Sequence, residues 1–224
     1  MKPDLIVFDM DGVLVDPTES FRRTVLEVVR HFCGKETTFE RIVEIKNEGG
    51  YNDDTDVALR IIRDFGADAE RQAVAAHGYK VFWGENADGL IQQERWLPED
   101  GLMERLAERA RLAIFTGRGP RTANHSLSRF CPRIPFDPVV TSDLLENLKP
   151  APDGLLRAVE AHPGARPLYV GDNLDDARAA NAAGAPFVGI AEPDLHQREE
   201  LVALFDEQGA VAVIEHINQL ESVL

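Results

Sequence analysis

The feature that most constrains the fold of this chain is a series of six short apolar runs. They are Leu5–Phe8, Leu112–Phe115, Val139–Thr141, Leu168–Val170, Phe187–Ile190 and Val211–Ile214. Runs of this kind, closed by turn residues, are typical of strands buried on both faces. After residue 98 they are separated by helix-like segments, namely Gly101–Ala110, Arg121–Phe130, Asp153–Ala161, Asp175–Ala183 and His196–Gln208. This alternation predicts an α/β fold in which a doubly wound parallel sheet has helices on both faces.

The stretch between the first and second apolar runs has a different character, because it contains helix-like segments and no convincing strand. These segments are Thr18–Phe32, Thr38–Lys46, Thr55–Phe65 and Ala69–Trp83, with Thr38 and Asp68 as the expected N-caps. Pro98 and the residues after it are typical of a hinge through which the chain returns to the sheet. We therefore predict a core formed by residues 1–15 and 98–224, with an inserted all-helical cap domain at residues 16–97.

The charge balance limits the partners that the chain can bind. Its 39 acidic residues exceed its 24 basic residues, and the formal net charge is −15. A chain this acidic repels nucleic acids and anionic membrane surfaces, so we expect a small-molecule partner. We find no apolar run of the ~20 residues needed to cross a membrane and no apolar signal region near the N-terminus.

The two cysteines, Cys33 and Cys131, are far apart and form neither a CxxC pair nor a zinc pattern. We expect them to be reduced thiols, and we expect the protein to be soluble and cytoplasmic. The sequence carries no signal for a particular oligomeric state.

Most residues suited to chemistry come directly after an apolar run. Asp9 and Asp11 follow the first run, Thr116 and Gly117 the second, and Asp172 and Asp176 the run that ends at Val170, while Lys149 precedes a predicted helix. In parallel α/β sheets, ligands bind at the carboxyl ends of the strands. We therefore expect these side chains to meet at one edge of the sheet.

The residue types in this set indicate phosphoryl-transfer chemistry. Carboxylates held close together repel each other unless a cation is present, and oxygen ligands without His or Cys favour Mg²⁺ over zinc. A lysine and a hydroxyl group beside them can bind the oxygens of a phosphoryl group. A carboxylate can also attack phosphorus directly and form an aspartyl-phosphate.

In these residues the sequence resembles the haloacid dehalogenase superfamily, specifically its phosphatases of subfamily I. The first motif of that family is matched by Asp9-Met10-Asp11-Gly12-Val13, and its hydroxyl residue after the second core strand by Thr116. Its lysine is matched by Lys149 and its acidic fourth motif by Gly171, Asp172 and Asp176. The four motifs occur in the family's order and span the predicted core, which the resemblance implies to be Rossmann-like. The helical insertion resembles the family's cap of the first type.

The resemblance implies a role for each matched residue. Asp9 is expected to be the nucleophile and a Mg²⁺ ligand, and Asp11 the general acid/base, with its backbone carbonyl also on the metal. Asp172 is expected to bind the metal directly, and Asp176 directly or through water. Thr116, the Gly117 amide and Lys149 are expected to bind the transferring phosphoryl group, and Gly12 to permit a tight turn beneath the site.

Three further features lie outside these motifs. Gly49 and Gly50 interrupt the helical block, and in related capped enzymes such a loop sets specificity. We therefore name Lys46, Tyr51 and Asn52 as candidate substrate-specificity residues, with an ordinary solvent loop as the competing interpretation. Arg118 is interpreted as a solvated or ion-paired arginine near the site, and Asp175 as a helix cap.

The function predicted from the sequence is a Mg²⁺-dependent phosphomonoester hydrolase that acts on a small phosphorylated metabolite through an aspartyl-phosphate. A phosphosugar mutase of the same superfamily would use the same Asp9 and Asp11 and stays open. A receiver-like phospho-acceptor is disfavoured by the chain length and by Asp11, since an acid at that position promotes hydrolysis of the phospho-aspartate. A non-catalytic binding module is disfavoured because every expected motif residue is present.

Overall fold

The computed structural model describes residues 2–224, which divide into two compact units. The core unit consists of the residues up to Val15 together with Trp96–Leu224, and the helical unit consists of Asp16–Arg95. The chain therefore re-enters the core unit at Trp96, whereas the sequence prediction placed this point at residue 98.

The core unit is organised around its strands. They are β1 (Leu5–Phe8), β2 (Val15–Asp16), β3 (Arg95–Trp96), β4 (Arg111–Phe115), β5 (Phe136–Val140), β6 (Pro167–Gly171), β7 (Phe187–Ile190) and β8 (Ala212–Ile214). Six of them form a sheet in the order β5-β4-β1-β6-β7-β8, and every pairing in it is parallel. The predicted α/β fold with a parallel sheet is thereby confirmed.

The observed strands differ most from the prediction at β5 and at the pair formed by β2 and β3. β5 begins at Phe136, three residues before the predicted start, and includes Pro138 after a cis peptide bond. Proline is tolerated here because β5 is an edge strand, where one side of the backbone has no ladder partner. β2 and β3 pair with each other at the two points where the chain passes between the units, and this short ladder was not predicted.

The central strand β1 shows why its sequence is apolar throughout. Ile6 and Phe8 belong to one hydrophobic cluster and Leu5 and Val7 to another, and all four side chains are fully buried. Successive residues of a strand point to opposite faces, so both faces of β1 are covered. Such a strand has no polar face, and the continuous apolar run that follows from this made it recognisable in the sequence.

The helices of the helical unit are α1 (Arg23–Cys33), α2 (Phe39–Glu48), α3 (Asp54–Asp64) and α4 (Arg71–Trp83), and those of the core unit are α5 (Leu102–Ala107), α6 (Pro120–Phe130), α7 (Asp153–Glu160), α8 (Leu174–Ala183) and α9 (Arg198–Glu207). The segment predicted as one helix from Thr18 begins with a π-helical turn, Thr18–Arg22, before α1. No helix within residues 2–224 combines the length and the apolar character that crossing a bilayer requires.

The predicted helix caps have mixed outcomes. Thr38 is the N-cap of α2, and its hydroxyl accepts a hydrogen bond from the amide of Arg41 at 3.3 Å. The prediction for Asp68 is wrong, because α4 begins two residues later than expected and the Asp68 carboxylate accepts from the amide of Ala69 instead. Short polar side chains bond readily to nearby amides in turns as well as at helix ends, so residue type alone does not separate these cases.

The helical unit has its own hydrophobic core. Val25 and Val29 of α1 pack with Ile42 and Ile45 of α2 and with Ile62 of α3. Each of these residues is at most 1% exposed. Positions three and four residues apart on α1 and α2 share one helix face, which matches the apolar periodicity of the sequence.

Candidate active site

The sheet order brings three strand ends next to each other. β1 lies between β4 and β6, and its Phe8 is in register with Ile114 on one side and Val170 on the other. The residues that follow these strands are Asp9, Thr116 and Asp172. The carboxyl ends of β1, β4 and β6 therefore form a single edge, which is where ligands bind in sheets of this kind.

Three carboxylates converge at this edge. Asp9, Asp172 and Asp176 each present an oxygen, and these oxygens all lie within 4.8 Å of one another. Asp9 and Asp176 are buried and Asp172 is half-buried. A set of oxygen donors without His or Cys fits a hard divalent cation. The side chain of Asp11 is not part of this group.

Lys149 connects two of the carboxylates. Its Nζ lies 2.7 Å from Oδ1 of Asp9 and 2.8 Å from Oδ1 of Asp176. The ammonium group also lies over the rings of Phe115 and Tyr169, at 4.7 and 5.6 Å from their centroids. Burial alone would lower the pKa of Lys149, but the adjacent Asp176 and Asp9 raise it. A permanent buried cation is thus held at the edge where the sequence predicted a phosphate-binding lysine.

Asp176 is the most heavily bonded member of the cluster. Its Oδ1 accepts a hydrogen bond from the hydroxyl of Tyr169 at 2.7 Å, in addition to the contact with Lys149. Its Oδ2 accepts from the amides of Asp172 and Asn173 at 3.1 and 3.3 Å. Through these four protein donors Asp176 has a structural role, because it orients Lys149 and stabilises the turn that carries Asp172.

Two of these features were missed at the sequence level. Asn173, and not Asp175, is the N-cap of α8, and its side-chain oxygen accepts from the amides of Asp175 and Asp176. Tyr169 lies within an apolar run and was interpreted only as a strand residue, yet it is fully buried with its hydroxyl on Asp176. A buried tyrosine hydroxyl usually requires a partner, and the tyrosine in a run of aliphatic residues was the available signal.

The electrostatics of Asp9 reflect the crowding of charge. Burial, the largest effect, and the neighbouring carboxylates of Asp176, Asp172 and Asp11 raise its pKa to about 8, against the opposing pull of Lys149. A carboxylate acts as a nucleophile only when it is ionised. A divalent cation at the cluster would favour the ionised form, so the donor set and the charge balance both fit a metal ion here.

Asp11, the second aspartate of the first motif, faces Arg118. Nε of Arg118 donates to Oδ2 of Asp11 at 2.9 Å, and Nη2 donates to Oδ1 at 2.7 Å. The side chain of Arg118 is 1% exposed and that of Asp11 is 29% exposed. Of the two interpretations offered for Arg118, the ion-paired one is confirmed, although the sequence did not indicate the partner.

Thr116 and Gly117 lie directly after β4. Thr116 is buried, and its hydroxyl oxygen accepts a hydrogen bond from the amide of Arg118 at 3.2 Å. Gly117 is exposed. The turn from β4 to α6 therefore has one buried hydroxyl group and one accessible glycine at the same edge as Lys149 and the carboxylates.

Gly12 has both the conformation and the close packing that require glycine. Its φ is +76°, in the left-handed region, and a Cβ atom placed on it would collide with the carboxylate of Asp172. Its amide donates to the carbonyl of Val15 at 2.8 Å. The turn after β1 therefore passes directly against the cluster formed by Asp9, Asp172 and Asp176.

The three candidate specificity residues lie in the helical unit. Nζ of Lys46 is 2.8 Å from Oδ1 of Asp54, and the hydroxyl of Tyr51 accepts from Nη1 of Arg60 at 3.0 Å. Asn52 is half-buried in the loop between α2 and α3. Lys46 and Tyr51 thus make polar contacts that anchor this loop within the helical unit.

Comparison with known proteins identifies the family of this chain. The family model for haloacid dehalogenase-like hydrolases matches residues 3–184. The chain belongs to the haloacid dehalogenase-like hydrolases. The prediction from the motifs, that the chain is a phosphatase of this superfamily, is confirmed. Membership of a hydrolase family excludes the receiver-like alternative.

The curated relatives of this haloacid dehalogenase-like hydrolase carry different names. An imidazoleglycerol-phosphate dehydratase of Phytophthora nicotianae is 30% identical over 88% of the chain, but the chain spans only 45% of that protein. A pyrophosphatase PpaX of Bacillus mycoides is 26% identical over 85% of both chains. A phosphoglycolate phosphatase of Pseudomonas putida is 28% identical over 88% of this chain and 72% of the relative.

Solved structures with the same fold cover nearly the whole chain. A predicted phosphoglycolate phosphatase from Haemophilus somnus aligns with a TM-score of 0.76 and 17% identity, over 100% of this chain and 98% of the other. A putative β-phosphoglucomutase from Thermotoga maritima aligns with a TM-score of 0.66 and 23% identity, over 99% and 100%. At these identities the likeness shows the fold alone.

Proposed function

We propose that this hydrolase is a Mg²⁺-dependent phosphomonoesterase that releases inorganic phosphate from a small phosphorylated metabolite through an aspartyl-phosphate. The observation that carries the proposal is the placement of Asp9 at the end of β1, in contact with Lys149 and beside Asp172 and Asp176. A nucleophile, a buried cation and oxygen donors for a metal are the parts that phosphoryl transfer requires.

The first step that we propose transfers the phosphoryl group to Asp9. A carboxylate oxygen of Asp9 forms a bond to phosphorus while the ester P–O bond breaks, and the leaving oxygen takes a proton from the Asp11 carboxyl group. Lys149, the hydroxyl of Thr116 and the amide of Gly117 bind the oxygens of the transferring group. Their task is to hold the phosphoryl group in line with Asp9 and to offset its charge.

The second step returns the enzyme to its initial state. Asp11, now a carboxylate, takes a proton from a water molecule as the water oxygen attacks phosphorus. The bond between phosphorus and the Asp9 oxygen breaks, so inorganic phosphate leaves and the Asp9 carboxylate is restored. An aspartate at position 11 suits both steps, because it can give a proton in the first and accept one in the second.

The proposed metal would be held by side-chain oxygens of Asp9 and Asp172, with the Asp11 carbonyl and with Asp176 directly or through water. Bound Mg²⁺ would neutralise charge on the phosphoryl oxygens and on the carboxylate cluster. Asp176 already accepts from four protein donors, which supports contact with the metal through water over direct contact.

We propose that Lys46, Tyr51 and Asn52 contribute to the choice of substrate. The names of the curated relatives suggest that the substrate is a small organic phosphate or pyrophosphate.

A net charge of −15 supports a partner other than nucleic acid or an anionic membrane. The free thiols of Cys33 and Cys131 support a cytoplasmic location.

The experiment that tests the proposal is a screen of phosphorylated metabolites with and without Mg²⁺, in which released inorganic phosphate is measured. We expect Mg²⁺-dependent release by the native chain and none by Asp9→Asn, with an unchanged circular dichroism spectrum for the variant. Turnover by Asp9→Asn close to that of the native chain would refute the covalent mechanism.

A phosphosugar mutase is the second candidate, because the carboxylates, Lys149 and Asp11 serve either reaction and the Thermotoga maritima structure has the same fold. A mutase returns the phosphoryl group to a sugar and depends on a bisphosphate activator, whereas a hydrolase passes the group to water. Steady phosphate release from a monoester without any bisphosphate would favour the hydrolase.

A further inference from the structure

The contact between Arg118 and Asp11 has a geometry that restricts orientation as well as charge. Two nitrogens of one planar guanidinium group bond to the two oxygens of one carboxylate, at 2.9 and 2.7 Å. A two-point contact of this kind sets both the direction and the plane of the carboxylate, whereas a single ammonium group sets neither.

The guanidinium group is itself held in place. Its third nitrogen, Nη1, donates to the hydroxyl oxygen of Ser126 at 2.8 Å, and that hydroxyl donates to the carbonyl of Thr122 at 3.2 Å. Ser126 is fully buried on α6. Helix α6 thus supplies a rigid support on the side of Arg118 that faces away from Asp11.

Both backbone polar groups of Arg118 also form hydrogen bonds. Its amide donates to the hydroxyl oxygen of Thr116 at 3.2 Å, and its carbonyl accepts from the amide of Ser142 at 3.0 Å. Arg118 therefore connects the turn after β4 to Asp11, which lies 107 positions away in the sequence.

We propose that Arg118 is a positioning residue that fixes the direction of the Asp11 carboxyl group toward the leaving oxygen. The inference rests on the proposed function, in which Asp11 gives a proton to that oxygen and later accepts one from water. Arg118 does not touch the reacting atoms in this proposal; it acts through Asp11.

This proposal makes a prediction about leaving groups. Proton transfer to the leaving oxygen matters most when that oxygen is strongly basic, and it matters less when the leaving group is stable as an anion. Because kcat/KM reports the steps through formation of the phospho-enzyme, loss of positioning should lower kcat/KM more for a poor leaving group than for a good one.

The experiment compares phenyl phosphate with p-nitrophenyl phosphate, which are similar in shape but differ in the basicity of the leaving oxygen. Arg118→Lys keeps the positive charge and loses the two-point contact. We expect it to lower kcat/KM for phenyl phosphate by about 10- to 100-fold, which is part of the roughly 10²- to 10⁴-fold that general acid catalysis contributes, and for p-nitrophenyl phosphate by several-fold less. Arg129→Lys, at an exposed position of α6, the helix that carries Ser126, is the matched control and should leave both values unchanged.

Two results would overturn the proposal. An equal loss with both substrates would show that Arg118 only supports the local structure, and unchanged values in Arg118→Lys would show that charge alone suffices. If Arg118→Lys does not fold, Ser126→Ala removes the hydrogen-bond acceptor of Nη1 and keeps the arginine that contacts Asp11. We expect that variant to give a smaller loss with the same dependence on leaving group, and an equal loss with both substrates would again contradict the inference.

A double variant separates this inference from the proposed function. In an Asp11→Asn background Arg118 has no carboxyl group to orient, so Arg118→Lys should cause little further loss in kcat/KM. A further loss as large as in the native chain would contradict the positioning role even if the covalent mechanism is correct. Full activity of Asp9→Asn would instead refute the proposed function itself.

Discussion

Nζ of Lys149 lies 2.7 Å from Oδ1 of Asp9, although the two residues are 140 positions apart in the sequence. Both side chains are almost completely buried, at 1% and 6% exposure. The proposed nucleophile and the proposed phosphate-binding cation therefore orient each other. The same contact offsets part of the cost of burying a carboxylate beside two others.

Replacement of Lys149 by methionine should affect both turnover and stability. The variant loses a cation at the phosphoryl site, and we expect turnover to fall by at least about 100-fold. It also leaves the Asp176 carboxylate buried without its cation, so the free energy of unfolding should fall by about 3–5 kcal/mol. Phosphate release and urea denaturation measure the two effects. Lys80→Met, at an exposed position of α4, is the control, and equal behaviour of the two variants would contradict the prediction.

The raised pKa of Asp9 should make the metal-free protein less stable as the pH rises. The folded-state pKa is about 8, whereas that of an unfolded aspartate is about 3.9. Between these values the folded state keeps a proton that the unfolded state has released. The contribution of the Asp9 carboxyl group to the free energy of unfolding is therefore at its maximum below about pH 4, and it is lost as the pH rises through about 8.

Asp9→Asn removes this titration and should flatten the dependence of stability on pH. Urea denaturation in the presence of a chelator at pH 5 and pH 8.5 measures the effect, and the advantage of the variant over the native chain should be larger at the higher pH. Parallel pH profiles of the two proteins would contradict the prediction. Added Mg²⁺ should stabilise the native chain more than the variant, because a cation favours the ionised carboxylate.

Replacement of Gly12 by alanine should damage the site beyond the backbone strain. Gly12 has φ +76° and faces the Asp172 carboxylate, while Gly34 has φ +64° and no atom within 4 Å of the point where a Cβ would lie. Both alanine variants incur about 1–2 kcal/mol from the left-handed conformation. Only Gly12→Ala should also lower turnover and raise the Mg²⁺ concentration required for half-maximal rate. Loss of activity in Gly34→Ala, or full activity in Gly12→Ala, would contradict this reasoning.

Changes in the loop between α2 and α3 should alter substrate preference. Tyr51→Phe removes the hydroxyl that accepts from Arg60, and Asn52→Ala removes a polar side chain from the same loop. We expect each to lower kcat/KM for the preferred metabolite more than for p-nitrophenyl phosphate, which lacks groups for a specific contact. Tyr79→Phe, at an exposed position of the helical unit, should leave the ratio unchanged. A uniform loss with all substrates would indicate that the loop serves the stability of the helical unit only.

The parts of the fold that the sequence predicted well are those with a local cause. β1 is apolar throughout because both of its faces are covered, and the residue at which the apolar run stops is the strand end that carries Asp9. β5 was misplaced because Pro138 interrupts the usual strand composition, and only its position at the edge of the sheet makes that proline acceptable.

The candidate site shows the same division. The sequence by itself determined which carboxylates, hydroxyl and lysine belong to one strand-end edge, because motif order and strand ends are local properties of the chain. Tertiary structure alone decided that Arg118 pairs with Asp11 and that Tyr169 donates to Asp176. The Arg118 contact joins residues 107 positions apart, and the Tyr169 contact joins a strand to the helix that follows it. Both depend on how a side chain is directed once the sheet and α6 or α8 have packed, and residue type and spacing do not specify that direction.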